Sequence, residues 1–562
     1  MLALSDSNGS KLPSNGESAL DALSPAAIAP PGRRKLFGRA FYESIGSPKM
    51  VLAPMVDQSE FAWRVLTRSY MTPERSQDLL AYTPMLHSRM FVETPKFRDN
   101  HFQPIRSGLA SLPTITDSSA SDIYLDGNPT IDRPLLVQFC SNSPNNLLEA
   151  AKYVQPFCDA VDLNLGCPQG IARKGHYGAF LQEDWDLVYK LVNTLHKNLD
   201  VPVTAKMRIL ETKEKTLEYA NTIVSAGASI LTVHGRHRDQ KSHNTGLADW
   251  SVIRYLRENL PPDTVLFANG NILRHEDIAR CLEATGADGV MSAEGNLCDP
   301  TIFAGPPAVG TEGREYWRGR DGRGGYRMDA VFRRYMDILY TYVLEEPLPA
   351  RQPLFLPSDN ASNNVDLSNG QEETDGQPPA KKQKRENSSK QTKTTSPNLL
   401  SMQAHLFHLL RPLVSKHHDV RDALARSRAG DVAAFENVLH LVEKAVKDGL
   451  LDYENHPEKY EETAVVPDEQ KKEEGLSDES SLATVRACKR PWWVCQPYVR
   501  PLPREALEKG SLTLSKKEKK RLEEEQQLVR KASLKPEGKV DTEKTESSQE
   551  LVGIPKDGLV CG

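Results

Sequence analysis

Residues 160–207 run AVDLNLGCPQGIARKGHYGAFLQEDWDLVYKLVNTLHKNLDVPVTAKM. Two short apolar pulses, AVDLNL (160–165) and PVTAKM (202–207), flank WDLVYKLVNTLHKNL (185–199), whose apolar residues recur at helical spacing. The pulses are continuous, not alternating, which suits parallel strands covered on both faces. Strand, helix, strand in this order is the repeat of an α/β fold. The same texture extends in both directions. MVLAPM (50–55), LLAYT (79–83) and PLLVQF (134–139) precede the unit, and SILTVH (229–234), TVLFAN (264–269) and DGVMSA (288–293) follow it. The spacers TLEYANTIVSAG, DWSVIRYLRENL and HEDIARCLEATG are helical in pattern. Eight strand–helix units within residues 48–308 match the roughly 250 residues of a TIM (β/α)8 barrel. A doubly wound open sheet is the competing arrangement, and the count of eight favours the barrel.

The chain has 562 residues, too many for one compact domain. Its hydrophobic content of 38% and mean hydropathy of -0.52 point to cores diluted by polar sequence. Residues 1–40 are rich in Ser, Asn, Gly, Ala and Pro and read as a disordered arm ending in the basic GRRKLFGR. Residues 107–133 read as a surface insertion before the third strand. A small helical domain is expected over 309–345 and 397–453, interrupted by a disordered insertion at 346–396. Residues 454–562 read as a mostly disordered charged tail, apart from the Trp motif at 490–502. The net charge of -5 supplies no global field that would draw the chain to nucleic acid or membrane. Asp6, Glu17 and Asp21 and the lack of an apolar core segment argue against a secretory or mitochondrial leader. No stretch approaches a membrane span. The cysteines are scattered without a CxxC pair, so a reduced compartment and no metal site are expected. The default location is the cytoplasm, the nucleus or both, and the default state is a monomer.

Barrel chemistry sits at the C-terminal strand ends. The first strand ends Pro54-Met55-Val56-Asp57, the third carries Gln138, and the fourth ends Asn164-Leu165-Gly166-Cys167-Pro168. The fifth gives Lys206-Met207-Arg208, the sixth His234-Gly235-Arg236-His237, the seventh Asn269-Gly270-Asn271 and the eighth Ala293-Glu294-Gly295-Asn296. Any one of these side chains has an ordinary structural explanation; their convergence on one rim points to function. Glycines after strands seven and eight suit a phosphate held by backbone amides. With Gln138 placed for a ring edge and Lys206 for negative charge on a reduced ring, flavin mononucleotide (FMN) is the natural ligand. Phosphosugar barrels share that phosphate site.

APMVDQSE, LNLGCPQGIARKGHYGAFL, KMRI, TVHGRHR, DW, ANGNI and MSAEGNL occur in order. Together they resemble the tRNA-dihydrouridine synthase family, and within it the eukaryotic branch that acts at positions 16 and 17 of the D-loop. RPWWVCQPYVRP (490–501) also resembles that branch. The resemblance covers about residues 48–345 and 397–450. It implies FMN in the barrel, NADPH or NADH as reductant, and a helical domain that helps hold tRNA. It implies hydride transfer to C6 of a uridine. Pro54, Met55 and Val56 would line the flavin, and Gln138 and Lys206 would contact its ring. His234 would lie near the ribityl chain and phosphate. Asn269, Gly270, Asn271, Ala293, Glu294 and Gly295 would surround the phosphate. Bacterial relatives usually carry Gly-Arg where this chain has Ala293-Glu294-Gly295, which puts side-chain contacts to phosphate there in doubt but not backbone contacts.

Hydride at C6 leaves an enolate-like uracil that needs a proton at C5. A thiol is mostly protonated near neutral pH and suits that role, so Cys167 is expected to be the general acid. Pro168 stiffens the turn that presents it. A target uridine must leave its stack, which calls for a positive rim. Asn164, Lys174, Arg208, Arg236 and Arg238 are the expected tRNA contacts, with His176, His237 and the Arg318–Arg327 stretch as further candidates. KKQKR (381–385) reads as a nuclear signal, an RNA contact or a solvated run. Trp492 and Trp493 are expected to pin the tail to the body. The alternatives are an FMN oxidoreductase of a small pyrimidine and a catalytically silent RNA-binding scaffold. The helical extension and arginine-rich linker argue against the first; the presence of both Cys167 and Lys206 argues against the second.

Overall fold

The computed structural model describes residues 35–109, 124–362, 394–461 and 481–508, apart from 73, 74, 76, 77, 242 and 243. Eight parallel strands close into a barrel: β1 Met50–Leu52, β2 Leu79–Tyr82, β3 Leu135–Cys140, β4 Ala160–Leu165, β5 Val203–Arg208, β6 Ile230–His234, β7 Val265–Asn269 and β8 Gly289–Ser292. Each pairs with its neighbours in sequence, and β8 closes on β1 through Met50–Val290 and Leu52–Ser292. The eight apolar pulses each become a strand. A two-residue strand, Leu86–His87, which the sequence did not signal, adds to the top of β3.

Strand parity sets the chemistry. One set of alternate residues, such as Val137, Leu163, Ala205 and Val233, packs outward under the helices. The other set points into the barrel and grades from apolar to polar along its axis. Val51, Leu80, Leu136, Ile230, Val265, Phe267 and Met291 fill the lower interior. Asp162 pairs in register with Thr204, Asn164 with Lys206, and His234 with Asn269. The same parity that buries the core therefore delivers polar groups to the C-terminal mouth. Covering helices start on side-chain caps: Ser143, Asp184, Thr212 and Asp249 each accept from a backbone N–H of the first turn.

Three expected irregular stretches are partly built into the body. Helix Gly38–Ser44 starts inside the expected arm, and its Phe41 and Tyr42 join the apolar cluster of the barrel interior. Tyr42 donates to Asp288 O just before β8, so this helix closes the bottom. The end of the expected surface insertion is core: Asp126 and Asp132 are buried against the fully buried Arg64 guanidinium. Of the 346–396 insertion, Arg351 reaches back to Asp337 and Glu436. KKQKR (381–385) and most of the arm and tail lie outside the described residues.

Beyond the barrel, a hairpin of β9 Tyr316–Arg318 and β10 Gly324–Tyr326 leads into α1 Met328–Ile338. α2 Met402–Leu409, α3 His418–Arg426 and α4 Val432–Asn455 pack with it around a second apolar core. That core also takes Phe61, Trp63 and Leu66 from the helix Phe61–Arg68 that follows β1. Trp493 is completely buried in it, and Trp492 packs at its margin. Among the described residues, no helix is long and apolar enough to cross a membrane.

Candidate active site

A continuous hydrogen-bond chain links the barrel interior to the loop after β4. Thr204 donates to Asp162 Oδ1 at 2.6 Å, and Gln138 Nε2 donates to Asp162 Oδ2 at 2.8 Å. Gln138 Oε1 accepts from Asn164 Nδ2 at 2.9 Å. Asn164 Oδ1 in turn accepts from the backbone N–H groups of Gly166 (3.1 Å) and Cys167 (2.9 Å). Gln138 is fully buried, and each end of its amide meets one of these partners. Burial pushes the Asp162 carboxyl up to about 6, against the hydrogen bonds from Thr204 and Gln138.

The loop that carries Cys167 is pinned from several sides. Arg208 Nε donates to Gly166 O at 2.9 Å, Lys241 Nζ to Pro168 O at 2.8 Å, and Ala179 N to Cys167 O at 3.0 Å. Gly178 has φ +65°, and a Cβ there would fall 2.8 Å from Cys167 O. Only glycine lets the chain pass this close beneath the cysteine. Cys167 is partly exposed. Burial raises its thiol above the ordinary value, opposed by the Gln169 backbone N–H and the charges of Arg208, Lys206 and Lys241. The group therefore stands protonated at neutral pH.

Next to it the mouth crowds positive charge. Lys206 Nζ donates to Asn269 Oδ1 at 2.9 Å, while Asn269 Nδ2 donates to Met291 O at 3.0 Å. Burial, then Arg208, lowers the Lys206 ammonium to about 7. Burial, then Arg236, lowers Arg208 to about 10. Burial, then Arg208, Arg236 and Lys206, holds His234 neutral. Cations that depress one another in this way make a receptor for an anion.

Arg236 and Arg208, expected to touch RNA, sit inside the rim of the mouth. Arg236 is 1% exposed; it donates to Gly246 O (3.1 Å) and to Asn271 Oδ1 (2.8 Å) and meets His234 Nε2 (3.0 Å). Arg208 is 8% exposed and also donates to His237 O at 3.0 Å. Both brace the rim from within. Asn164, expected at the RNA, is 8% exposed and serves the cysteine loop. Arg238 pairs with Glu183 at 2.7 Å, and Lys174 is exposed on the short helix Gly170–Gly175 after β4. In the glycine-arginine stretch, Arg318 pairs with Glu312, Arg323 with Asp321, and the buried Arg327 with Asp329, while Arg320 is exposed.

Pro54 and Met55 are half-buried and Val56 is 56% exposed where β1 leaves the barrel. Gly270 has φ +115° and Asn271 φ 64°, so the turn after β7 carries two successive left-handed residues. Ala293 precedes the short helix Glu294–Cys298, and Gly295 packs so closely on Ile272 O that a Cβ would lie 2.3 Å from it. The turns after β7 and β8 therefore touch. Glu294 does not face this corner alone: Arg500 grips it with two hydrogen bonds, 2.9 and 2.5 Å. Asp162, Thr204, Lys241 and Arg500 are the site residues that the sequence did not single out. Asp162 had a signal, an acid inside an apolar strand pulse; Arg500 lies 206 residues from its partner and had none.

The model of the family described as Dihydrouridine synthase (Dus) matches residues 51–317, which hold the whole barrel and its mouth. A Saccharomyces cerevisiae protein named tRNA-dihydrouridine(16/17) synthase [NAD(P)(+)] is 42% identical over 84% of this chain and 88% of its own length. The chain belongs to the dihydrouridine synthase family. A Schizosaccharomyces pombe member with the same name is 40% identical over 84% of this chain and 92% of its own length. A Mus musculus member named tRNA-dihydrouridine(16/17) synthase [NAD(P)(+)]-like is 34% identical over 88% of this chain and 76% of its own length. These matches run well past residue 317, so the likeness to these family members extends beyond the barrel.

Proposed function

We propose that this chain reduces uridine to 5,6-dihydrouridine in the D-loop of tRNA, at positions 16 and 17, using FMN and NAD(P)H. The observation that carries the proposal is similarity over 84% of the chain to family members named for that reaction, with a protonated thiol held at the mouth of the barrel. The donor set suits a flavin phosphate ester: cations crowded at the mouth favour an anion, and the turn after β7, with two successive positive-φ residues, adjoins them. Asn269, Gly270 and Asn271 would hold the phosphate end, His234 the chain between phosphate and ring, and Lys206 and Gln138 the ring. Pro54 and Met55 would cover it.

FMN reduced by NAD(P)H supplies, when bound, a hydride for C6 of the uracil. The chain's own groups do the rest. Addition at C6 breaks the C5–C6 double bond and moves an electron pair toward C5 and O4. The Cys167 thiol gives its proton to C5, forming the C–H bond, and the resulting thiolate regains a proton from solvent. Asn164 holds the cysteine backbone in place for this transfer, and Lys206 lends positive charge to the anionic pyrimidine. Lys174, exposed just after β4, offers a contact for the phosphate backbone.

A stopped-flow experiment tests this. The protein is reduced with NADPH without oxygen and mixed with unmodified tRNA while flavin absorbance is followed. Oxidised flavin should return rapidly with tRNA and not with free uridine or orotate. A flavin that reduces but ignores tRNA would replace the proposal with a small-pyrimidine reductase.

A further inference from the structure

An acidic side chain stands at the corner proposed to take a phosphate. Glu294 begins the turn after β8, and Gly295 packs on Ile272 O, directly beyond the Asn269-Gly270-Asn271 turn. A bare carboxylate there would repel an anion across both turns. The answer to this conflict comes from the far end of the chain. Trp493 is completely buried in the helical core, its carbonyl accepts from Met328 N at 2.9 Å, and Cys495 N donates to Tyr326 O at 2.9 Å. Arg490 Nε donates to Gly324 O at 3.0 Å. From these anchors residues 490–502 cross as a strap from the β9–β10 hairpin to the barrel mouth. There Arg500 grips Glu294 in a fork. Tyr498 stiffens the end of the strap: the Arg411 guanidinium lies 4.0 Å from its ring centre and that of Arg500 5.9 Å.

We infer that the strap is a working part of the cofactor phosphate site, and that Arg500 neutralises Glu294 so that the corner accepts a phosphate. This rests on the proposed use of FMN. A pair that served only to dock the strap would behave differently. Removing either partner would then have the same effect. If Arg500 acts on the phosphate through Glu294, the two removals have opposite signs. Arg500→Ala uncovers the carboxylate, whereas Glu294→Gln removes the repulsion and leaves the cation.

The experiment strips the full-length protein of flavin and titrates it with FMN and with riboflavin, which lacks the phosphate, following flavin fluorescence. Arg500→Ala should weaken FMN about tenfold or more, the scale of one uncompensated charge at a partly shielded site. Riboflavin binding should change by less than about twofold, because the effect passes through the phosphate. Glu294→Gln should bind FMN at least as tightly as wild type, and Glu294→Gln with Arg500→Ala should recover most of the loss. Arg500→Lys, which keeps the charge, should stay near wild type and controls for folding. Equal losses in both single variants, an unchanged Arg500→Ala, or equal losses for FMN and riboflavin would overturn the inference. A wild-type protein that binds no flavin would overturn the proposed function first, before any variant is compared.

Discussion

Cys167 is suited to its task by protonation, not by nucleophilicity. Burial raises the thiol, and the neighbouring cations recover only part of that shift. An acid in this setting predicts a pH profile with a definite sign. Turnover with tRNA should be level through neutral pH and fall as pH rises through the raised thiol value, because only the protonated form donates. Cys167→Ala should keep flavin and its reduction by NADPH but lose roughly 10²–10⁴-fold in uridine reduction, the span of one general acid. Normal dihydrouridine formation by that variant would remove the residue from the chemistry. Lys206 makes the complementary prediction. Its ammonium stands at about 7 in the ligand-free protein, and the negative charge of a reduced flavin ring beside Nζ would raise it. Binding therefore takes up a proton above pH 7. Affinity for reduced FMN should fall between pH 7 and 9, by at most about tenfold per pH unit for one proton. Lys206→Met should bind more weakly and lack this slope; an equal slope in the variant would assign the proton elsewhere.

At the scale of elements, the site depends on turns that other residues could not form. Gly178 lies under the cysteine loop with φ +65°, and its missing Cβ would press on Cys167 O and Cβ at 2.8 and 2.9 Å. Gly178→Ala should cost about 1–2 kcal/mol for the left-handed backbone alone, read as a lowered Tm. It should also displace the thiol, cutting uridine reduction on the order of 100-fold while flavin reduction by NADPH stays. The strands themselves were legible in the sequence because strands buried on both faces read as unbroken apolar pulses, and all eight did. Polar residues at their ends were legible for the same reason, since a polar group closing an apolar pulse has few places to go except the mouth. Which of these residues meet solvent was not legible. Arg236 and Arg208 follow strand ends much as Lys206 does, yet backbone carbonyls of the β6–α turn capture them. The helix at Gly38–Ser44 was hidden as well, because the value of its Phe41 and Tyr42 lies in the open barrel floor they fill.

At the scale of the molecule, the barrel and the helical core are joined through buried polar groups as well as apolar ones. Glu60, at the start of the helix after β1, meets His405 Nε2 at 3.0 Å, and both are buried. The His405 ring stacks on Trp63 at 3.9 Å with an interplanar angle of 1°. Asn398 Oδ1 accepts from Ala62 N at 2.9 Å, and Ser401 donates to Asp57 O at 2.7 Å. These contacts span more than 330 residues of chain, so neither partner's local sequence announces the other. They also make the first βα turn of the mouth, which includes Met55, answer to the position of the helical core. Breaking the pair should therefore be costly and non-additive. Glu60→Ala leaves the imidazole buried without its acceptor and should lower stability by about 3–5 kcal/mol, as should His405→Ala with the opposite orphan. The double variant leaves neither member of the pair facing an orphaned partner and should fall short of the sum, by at least about 1 kcal/mol in a denaturant double-mutant cycle. Simple additivity would mean that the junction is held by the Trp63 stack and the surrounding apolar packing, with the Glu60–His405 contact a bystander.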